Sequence, residues 1–148
     1  MTRFLALLFA LTFAAAAQAA GTDPFAKIAE DPDFVSGKKA IDSKDWKGAI
    51  RAFTQVTNKH RDEPDGYNML GYAYRKSGDV DNAFRYYNAA LRLDANHKGA
   101  HEYIGEAFLM KNDIANAEKH LAALDRICGK GCEEYQDLAK AIDAHKKR

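Results

Sequence analysis

Cysteine is scarce in this chain, and neither sign of charge is in excess. Only 2 of the 148 residues are cysteine, and 22 Lys and Arg residues are balanced by 21 Asp and Glu residues. Without a positive excess, no broad field attracts nucleic acid, so we predict that the chain has no nucleic-acid partner. The near-neutral composition, 47% apolar and 29% charged, predicts a single soluble domain that is long enough to bury a core.

The common catalytic motifs are also missing. The chain contains no G-x-S-x-G sequence and no phosphate-binding glycine loop. His101-Glu102 begins like a metalloprotease helix, but Gly105 stands where the second histidine ligand belongs. His97 and His101 are four residues apart, yet they straddle a boundary between two helices and need not share a face. We therefore predict no enzyme activity, no metal and no cofactor.

The first 19 residues differ in kind from the rest of the chain. Arg3 is their only charge, residues 4–17 are apolar apart from Thr12, and residues 17–19 read Ala-Gln-Ala. A membrane anchor is the alternative, but this run is shorter than the roughly 20 residues that cross a bilayer. The pattern predicts a cleaved signal peptide at residues 1–19, export to the periplasm and no stable membrane anchor after cleavage. Residues 20–33, with two prolines, are interpreted as a flexible leader.

The remaining sequence repeats with a step of 34 residues. Three sets of residues keep this step: Gly37, Gly71 and Gly105; Asp45, Asp79 and Asp113; Ala49, Ala83 and Ala117. We expect each aspartate to cap the second helix of a pair, because its side chain can accept unpaired backbone N–H groups. The glycines are expected to let the first helix of each pair approach the alanines of the second.

The central repeat, residues 64–97, resembles a tetratricopeptide repeat (TPR). Its Tyr67, Leu70, Gly71 and Tyr74 follow the family's W-x2-L-G-x2-Y spacing, with Tyr67 replacing the usual Trp. Ala95 stands where the family usually has Pro. The resemblance implies an all-α, right-handed solenoid of about three units, and with the predicted signal peptide it indicates an exported bacterial TPR protein. The units span residues 30–63, 64–97 and 98–131 within 34–132, and an amphipathic segment at 133–148 is expected to be a capping helix.

The same resemblance implies a non-enzymatic scaffold that binds a peptide or protein segment in a concave groove. In this family the first helix of each unit lines the groove, and we expect its basic half in units one and two and its acidic half in unit three. The residues that this register assigns to the groove are Lys38, Asn68, Tyr72, Arg75, Lys76, Glu102, Glu106, Leu109 and Met110. The partner and the oligomeric state do not follow from the sequence.

The two cysteines, Cys128 and Cys132, are separated by Gly129-Lys130-Gly131. In an exported chain, an even number of closely spaced cysteines predicts a disulfide, and the glycines give the turn the freedom to form it. The spacing matches neither the C-x2-C redox motif nor haem attachment. Two alternatives stay open: a thiol- or metal-handling accessory protein using Cys128 and Cys132, or a structural subunit of an envelope assembly.

Overall fold

A computed structural model describes residues 28–148, so the predicted signal peptide and residues 20–27 of the predicted leader lie outside the described residues. Within this part of the chain, the regular structure consists of seven α-helices and no strand. The helices are α1 (Pro32–Asp42), α2 (Trp46–Lys59), α3 (Pro64–Ser77), α4 (Val80–Leu93), α5 (Lys98–Met110), α6 (Ile114–Cys128) and α7 (Glu133–Lys146). They form three consecutive pairs followed by the predicted capping helix, so the all-α fold class is confirmed.

Each second helix begins at one of the repeated aspartates. The side chains of Asp45, Asp79 and Asp113 accept the backbone N–H groups of Gly48, Asn82 and Asn116 at 2.9, 3.1 and 3.0 Å. Such a cap typically contributes about 1 kcal/mol, because it satisfies a donor that has no partner inside the helix. The capping role predicted from the 34-residue step is confirmed at all three positions.

The turn between the two helices of each pair requires one residue with a left-handed backbone conformation, that is, with a positive φ. Gly78 has a φ of 93°, and the equivalent positions hold Lys44 at 59° and Asn112 at 58°. Glycine adopts this conformation without steric cost, and asparagine tolerates it better than most residues. Lys44 adopts the same left-handed backbone conformation. The helix pair of the first unit therefore forms although a lysine replaces the glycine of its turn.

The repeated glycines make room for large side chains. A Cβ atom on Gly71 would lie 2.7 Å from the ring of Tyr87, and one on Gly37 would lie 2.6 Å from the ring of Phe53. The prediction that these glycines face the repeated alanines is therefore wrong in detail. The alanines are buried on the second helices, but aromatic rings fill the space at Gly37 and Gly71.

The capping helix packs more deeply than the sequence suggested. A Cβ atom on Gly105 would lie 2.6 Å from Leu138 of α7, whereas Gly37 and Gly71 face the second helix of their own pair. Leu138 is fully buried with Leu124 and Ala117. The capping helix thus supplies the large residue that covers the third glycine.

The core begins before the first predicted repeat helix. Ile28 is fully buried in the cluster that contains Phe53 and Val56. Asp31 caps α1 and lies 3.0 Å from the Nε2 atom of His60 at the end of α2. The predicted leader therefore ends earlier than residue 33, because residues from Ile28 onward contribute to the core or to α1.

Candidate functional site

The helices α3, α5 and α7 form one continuous surface, which we call the inner face. Tyr72 of α3 and Tyr103 of α5 meet there with ring centroids 5.0 Å apart. A cavity of about 380 Å³ opens between the three helices. Its lining consists of Arg75, Glu106, Leu109, Met110, Ala141, Ala144, His145 and Arg148. The structure therefore brings four of the predicted groove residues together, with α7 as a wall that was not assigned to the groove.

Arg75 is the most constrained of the predicted groove residues. Its side chain is only 9% exposed, its guanidinium forms an ion pair with Glu106, and its Nε donates to the Oη of Tyr87 at 3.2 Å. The same guanidinium lies 5.4 Å from the ring centroids of both Tyr72 and Tyr103. The expectation of a basic half of the groove is therefore wrong at Arg75, because its charge is already paired inside the protein.

The other predicted residues differ in how accessible they are. Lys76 is exposed, with its Nζ 5.9 Å from the ring centroid of Tyr72, and Lys38 is exposed on α1. Met110 is 52% exposed, whereas Leu109 is buried in the core beneath it. Asn68 is also buried, and its Oδ1 has no hydrogen-bond partner among residues 28–148. Asn68 and Leu109 are therefore largely covered by the protein, although Leu109 borders the cavity and the Oδ1 of Asn68 lacks a partner within the described residues.

Glu102 carries the most perturbed carboxyl group of the inner face. Burial raises its pKa to about 8, and the negative charges of Glu106, Asp137 and Glu134 act in the same direction. The neighbouring Tyr103 has its pKa raised to about 12, first by its burial and then by the charge of Glu102. Near neutral pH the Glu102 carboxyl group is therefore mostly protonated, and three further acidic side chains lie close to it.

His97 and His101 do not converge on a common site. His97 caps α5, with its Nδ1 accepting the N–H of Ala100 at 3.1 Å and its Nε2 3.2 Å from Asp65. His101 instead meets His120 of α6, with 2.9 Å between the two Nδ1 atoms. Burial, with a smaller contribution from His101, lowers the pKa of His120 to about 4. His97 and His101 thus point to different partners, as their position at a helix boundary suggested.

Cys128 and Cys132 lie at bonding distance and form a disulfide between the end of α6 and the start of α7. Their Cα atoms are 5.9 Å apart, within the usual range for this bond. The carboxylate of Glu134 lies beside them, so that one donor atom from each of the three residues falls within 4.8 Å of the others. The sequence did not indicate this third residue.

The Tetratricopeptide repeat family model matches the chain twice, over residues 35–98 and 69–131. Together these matches cover well over half of the chain. The chain belongs to the tetratricopeptide repeat family. No curated protein matches the sequence of this TPR protein.

Solved structures with the same TPR fold are similar to the chain at low sequence identity. The TPR2B domain of yeast Sti1, in a pHsp70 complex, is 21% identical with a TM-score of 0.72, and the match covers 82% of this chain and 98% of that one. The Yersinia enterocolitica type III secretion chaperone SycD, in complex with a peptide of the translocator YopD, is 17% identical with a TM-score of 0.65, covering 75% and 84%. The first TPR of Spaghetti (RPAP3), bound to the HSP90 peptide SRMEEVD, is 19% identical with a TM-score of 0.65, covering 73% and 86%.

Sequence reasoning missed the contribution of α7 to the inner face of this TPR protein. Extending the 34-residue step once more places Leu138 at the position of Leu70 and Ile104, and Asp137 at the position of Tyr103. The capping helix therefore occupies the place of a first helix in a fourth unit. This register was the sequence signal that could have identified Asp137 as a residue of the inner face.

None of the helices in residues 28–148 combines the length and apolar character needed to cross a membrane.

Proposed function

We propose that this TPR protein is an exported, non-enzymatic adaptor that holds a segment of a partner protein on its inner face. The observation that carries the proposal is the cluster of acidic side chains around Glu102, beside the partly exposed pair of Tyr72 and Tyr103. A surface that combines aromatic rings with charge of one sign favours a ligand of opposite charge.

The partner segment is basic where it meets α5 and α7. Burial raises the pKa of Glu102 there, and the charges of three neighbouring carboxylates, Glu106, Asp137 and Glu134, add to this effect. Arg75 pairs with Glu106, and Lys98 pairs with Glu134 at 3.1 Å. Within residues 28–148, no cation lies within ion-pair distance of Glu102 or Asp137, so both carboxyl groups are available to a basic ligand. A Lys or Arg side chain beside Glu102 would lower the pKa of its carboxyl group, because an opposite charge favours the ionised form.

The two tyrosines supply the second part of the site. Tyr72 and Tyr103 are partly exposed, and the ring of Tyr72 already attracts the cations of Arg75 and Lys76. An aromatic face accepts the alkyl part of a basic side chain as well as its charge. The flexible side chain of Met110, 52% exposed beside the cavity, suits an apolar residue of the same segment.

Two structures of similar fold contain bound peptides, which supports the peptide-binding class of function. The peptide SRMEEVD bound by the first TPR of Spaghetti carries three acidic residues. The acidic cluster around Glu102 is unsuited to such a sequence, since like charges repel across a desolvated surface. We therefore propose a partner segment of the opposite charge for this chain.

Export to the periplasm is the second component of the proposal. It rests on the apolar run at residues 4–17 and the Ala-Gln-Ala sequence that ends at residue 19. Expression of the full chain in a bacterial host and mass measurement of the periplasmic product test it. We expect a mature chain that begins at Ala20, and an uncleaved chain would contradict export by this signal.

A peptide selection tests the inner face. Random 12-residue peptides are displayed and selected separately against the chain spanning residues 20–148, Glu102→Lys and Asp125→Lys. Asp125 is exposed on α6, so its variant carries the same charge change outside the inner face. We expect the parent and Asp125→Lys to enrich peptides rich in Lys and Arg, and Glu102→Lys to lose that enrichment. Equal enrichment by all three chains would contradict the proposed site.

A further inference from the structure

The junction between α6 and α7 brings together three side chains that can bind a metal. Cys128 is the last residue of α6, Cys132 precedes the first residue of α7, and Glu134 lies in the first turn of α7. Their donor atoms all lie within 4.8 Å of one another. In the protein as described, the two sulfur atoms are occupied by their mutual bond, so the group is a ligand set only after reduction.

The loop between the cysteines has room to adjust. Cβ atoms built on Gly129 and Gly131 would meet nothing within 4 Å, and Gly129 adopts a φ of 76°. Both cysteines and Glu134 are partly exposed, so a reductant and an ion can reach them. Two thiolates on one tetrahedral zinc lie farther apart than two bonded sulfur atoms, at Zn–S distances of about 2.3 Å each. An open, glycine-containing loop permits that separation.

We propose that reduction of the Cys128–Cys132 bond creates a binding site for one Zn²⁺ ion, with two thiolates and the Glu134 carboxylate as ligands. A dithiol reductant supplies two electrons and two protons, and it becomes a disulfide while the two cysteines become thiols. Zinc binding then releases both thiol protons to solvent. To bind the zinc ion, the Glu134 carboxylate either gives up its ion pair with Lys98 or contacts both cations at once. Water completes the tetrahedron.

The chemistry of the three ligands favours zinc over magnesium or calcium. Thiolates are soft ligands that select zinc and similar ions, whereas magnesium and calcium require oxygen ligands. Zinc also accepts a carboxylate oxygen at about 2.0–2.2 Å. The bound ion would join α6 to α7 in place of the disulfide, and so hold Leu138 against Gly105 in the reduced protein.

Cobalt(II) provides an optical test of this site. The mature chain is reduced with a phosphine, freed of reductant under nitrogen and titrated with Co²⁺. We expect one ion per chain, the near-ultraviolet charge-transfer band of cobalt thiolates, and loss of that band when Zn²⁺ is added. The oxidised chain and Cys128→Ser/Cys132→Ser should show no such band. A reduced chain without the band, or with one ion shared by two chains, would overturn the proposal.

Glu133, the neighbour of Glu134, provides a matched control for the role of Glu134 in metal binding. Glu133 is exposed in the same turn of α7, and it is not part of the three-residue group. We expect Glu134→Gln to weaken Co²⁺ binding by at least tenfold and Glu133→Gln to leave it unchanged, with the helical circular dichroism of both variants equal to that of the parent. Equal affinities for the two variants would remove Glu134 from the site and contradict the three-ligand assignment.

Discussion

The guanidinium of Arg75 on α3 forms an ion pair with the carboxylate of Glu106 on α5, across the boundary between the second and third TPR units. The same side chain also donates to Tyr87 on α4. Arg75 therefore connects three helices that belong to two units. A residue that the sequence assigns to ligand binding acts mainly to join neighbouring repeats, which in a solenoid determines how the units stack.

Loss of the Glu106 charge should destabilise this connection. Glu106→Gln leaves the charge of the buried Arg75 without its counterion, and we expect a loss of about 1–3 kcal/mol in the free energy of unfolding. Urea unfolding followed by circular dichroism measures this loss. Glu118→Gln is the control, because Glu118 pairs with Lys146 at the surface and should contribute less than about 1 kcal/mol. Equal losses in the two variants would contradict a structural role for the Arg75 and Glu106 pair.

The close approach at Gly71 gives a prediction for packing. A methyl group on residue 71 would overlap the ring of Tyr87, which is fully buried and accepts a hydrogen bond from Arg75. We expect Gly71→Ala to cost about 1–3 kcal/mol, even though alanine is the better helix former. Thermal unfolding measures the change. Gly131→Ala places its methyl group in open space, so its midpoint should stay close to that of the parent, and a similar drop in both variants would show that the overlap with Tyr87 is not the cause.

The carboxyl group of Glu102 should make stability depend on pH. Its pKa is about 8 in the folded protein and about 4.5 in the unfolded chain, so the folded state holds more protons between these values. Stability from this group is therefore fully present below about pH 4.5 and is lost as the pH rises to about 8. We expect Glu102→Gln to raise the thermal midpoint more at pH 8.5 than at pH 5. A rise that is equal at both pH values, or one matched by Glu133→Gln, would contradict the burial of an ionisable group at Glu102.

The local features of the fold could be predicted from the sequence because they depend on neighbouring residues. Asp45, Asp79 and Asp113 cap helices through backbone groups only three residues away, so their spacing alone indicated the helix starts. The cysteines are separated by a short glycine-containing turn, and their pairing follows from that proximity. The 34-residue step and the capping aspartates were therefore sufficient to identify the three helix pairs, and the amphipathic pattern of residues 133–148 identified the seventh helix.

The contacts between units could not be predicted in the same way. Arg75 and Glu106 are both polar residues on first helices, and the sequence does not reveal that they pair with each other. Leu138 fills the space at Gly105 because α7 lies close to α5, a tertiary relationship that periodicity does not specify. Burial raises the pKa of Glu102, and the charges of Asp137 and Glu134 on the capping helix add to this effect, so the acidic cluster appears only when α5 and α7 are brought together.

A charge-exchange titration tests the central claim most directly. A selected peptide that contains one Lys and the same peptide with Glu in its place are titrated against the chain of residues 20–148 and against Glu102→Lys, by calorimetry at low and high salt. We expect the Lys peptide to bind the parent chain at least tenfold more tightly than Glu102→Lys, the Glu peptide to show the reverse preference, and both differences to shrink in high salt. If each peptide binds the two chains with equal affinity, the inner face around Glu102 is not the site that recognises the partner.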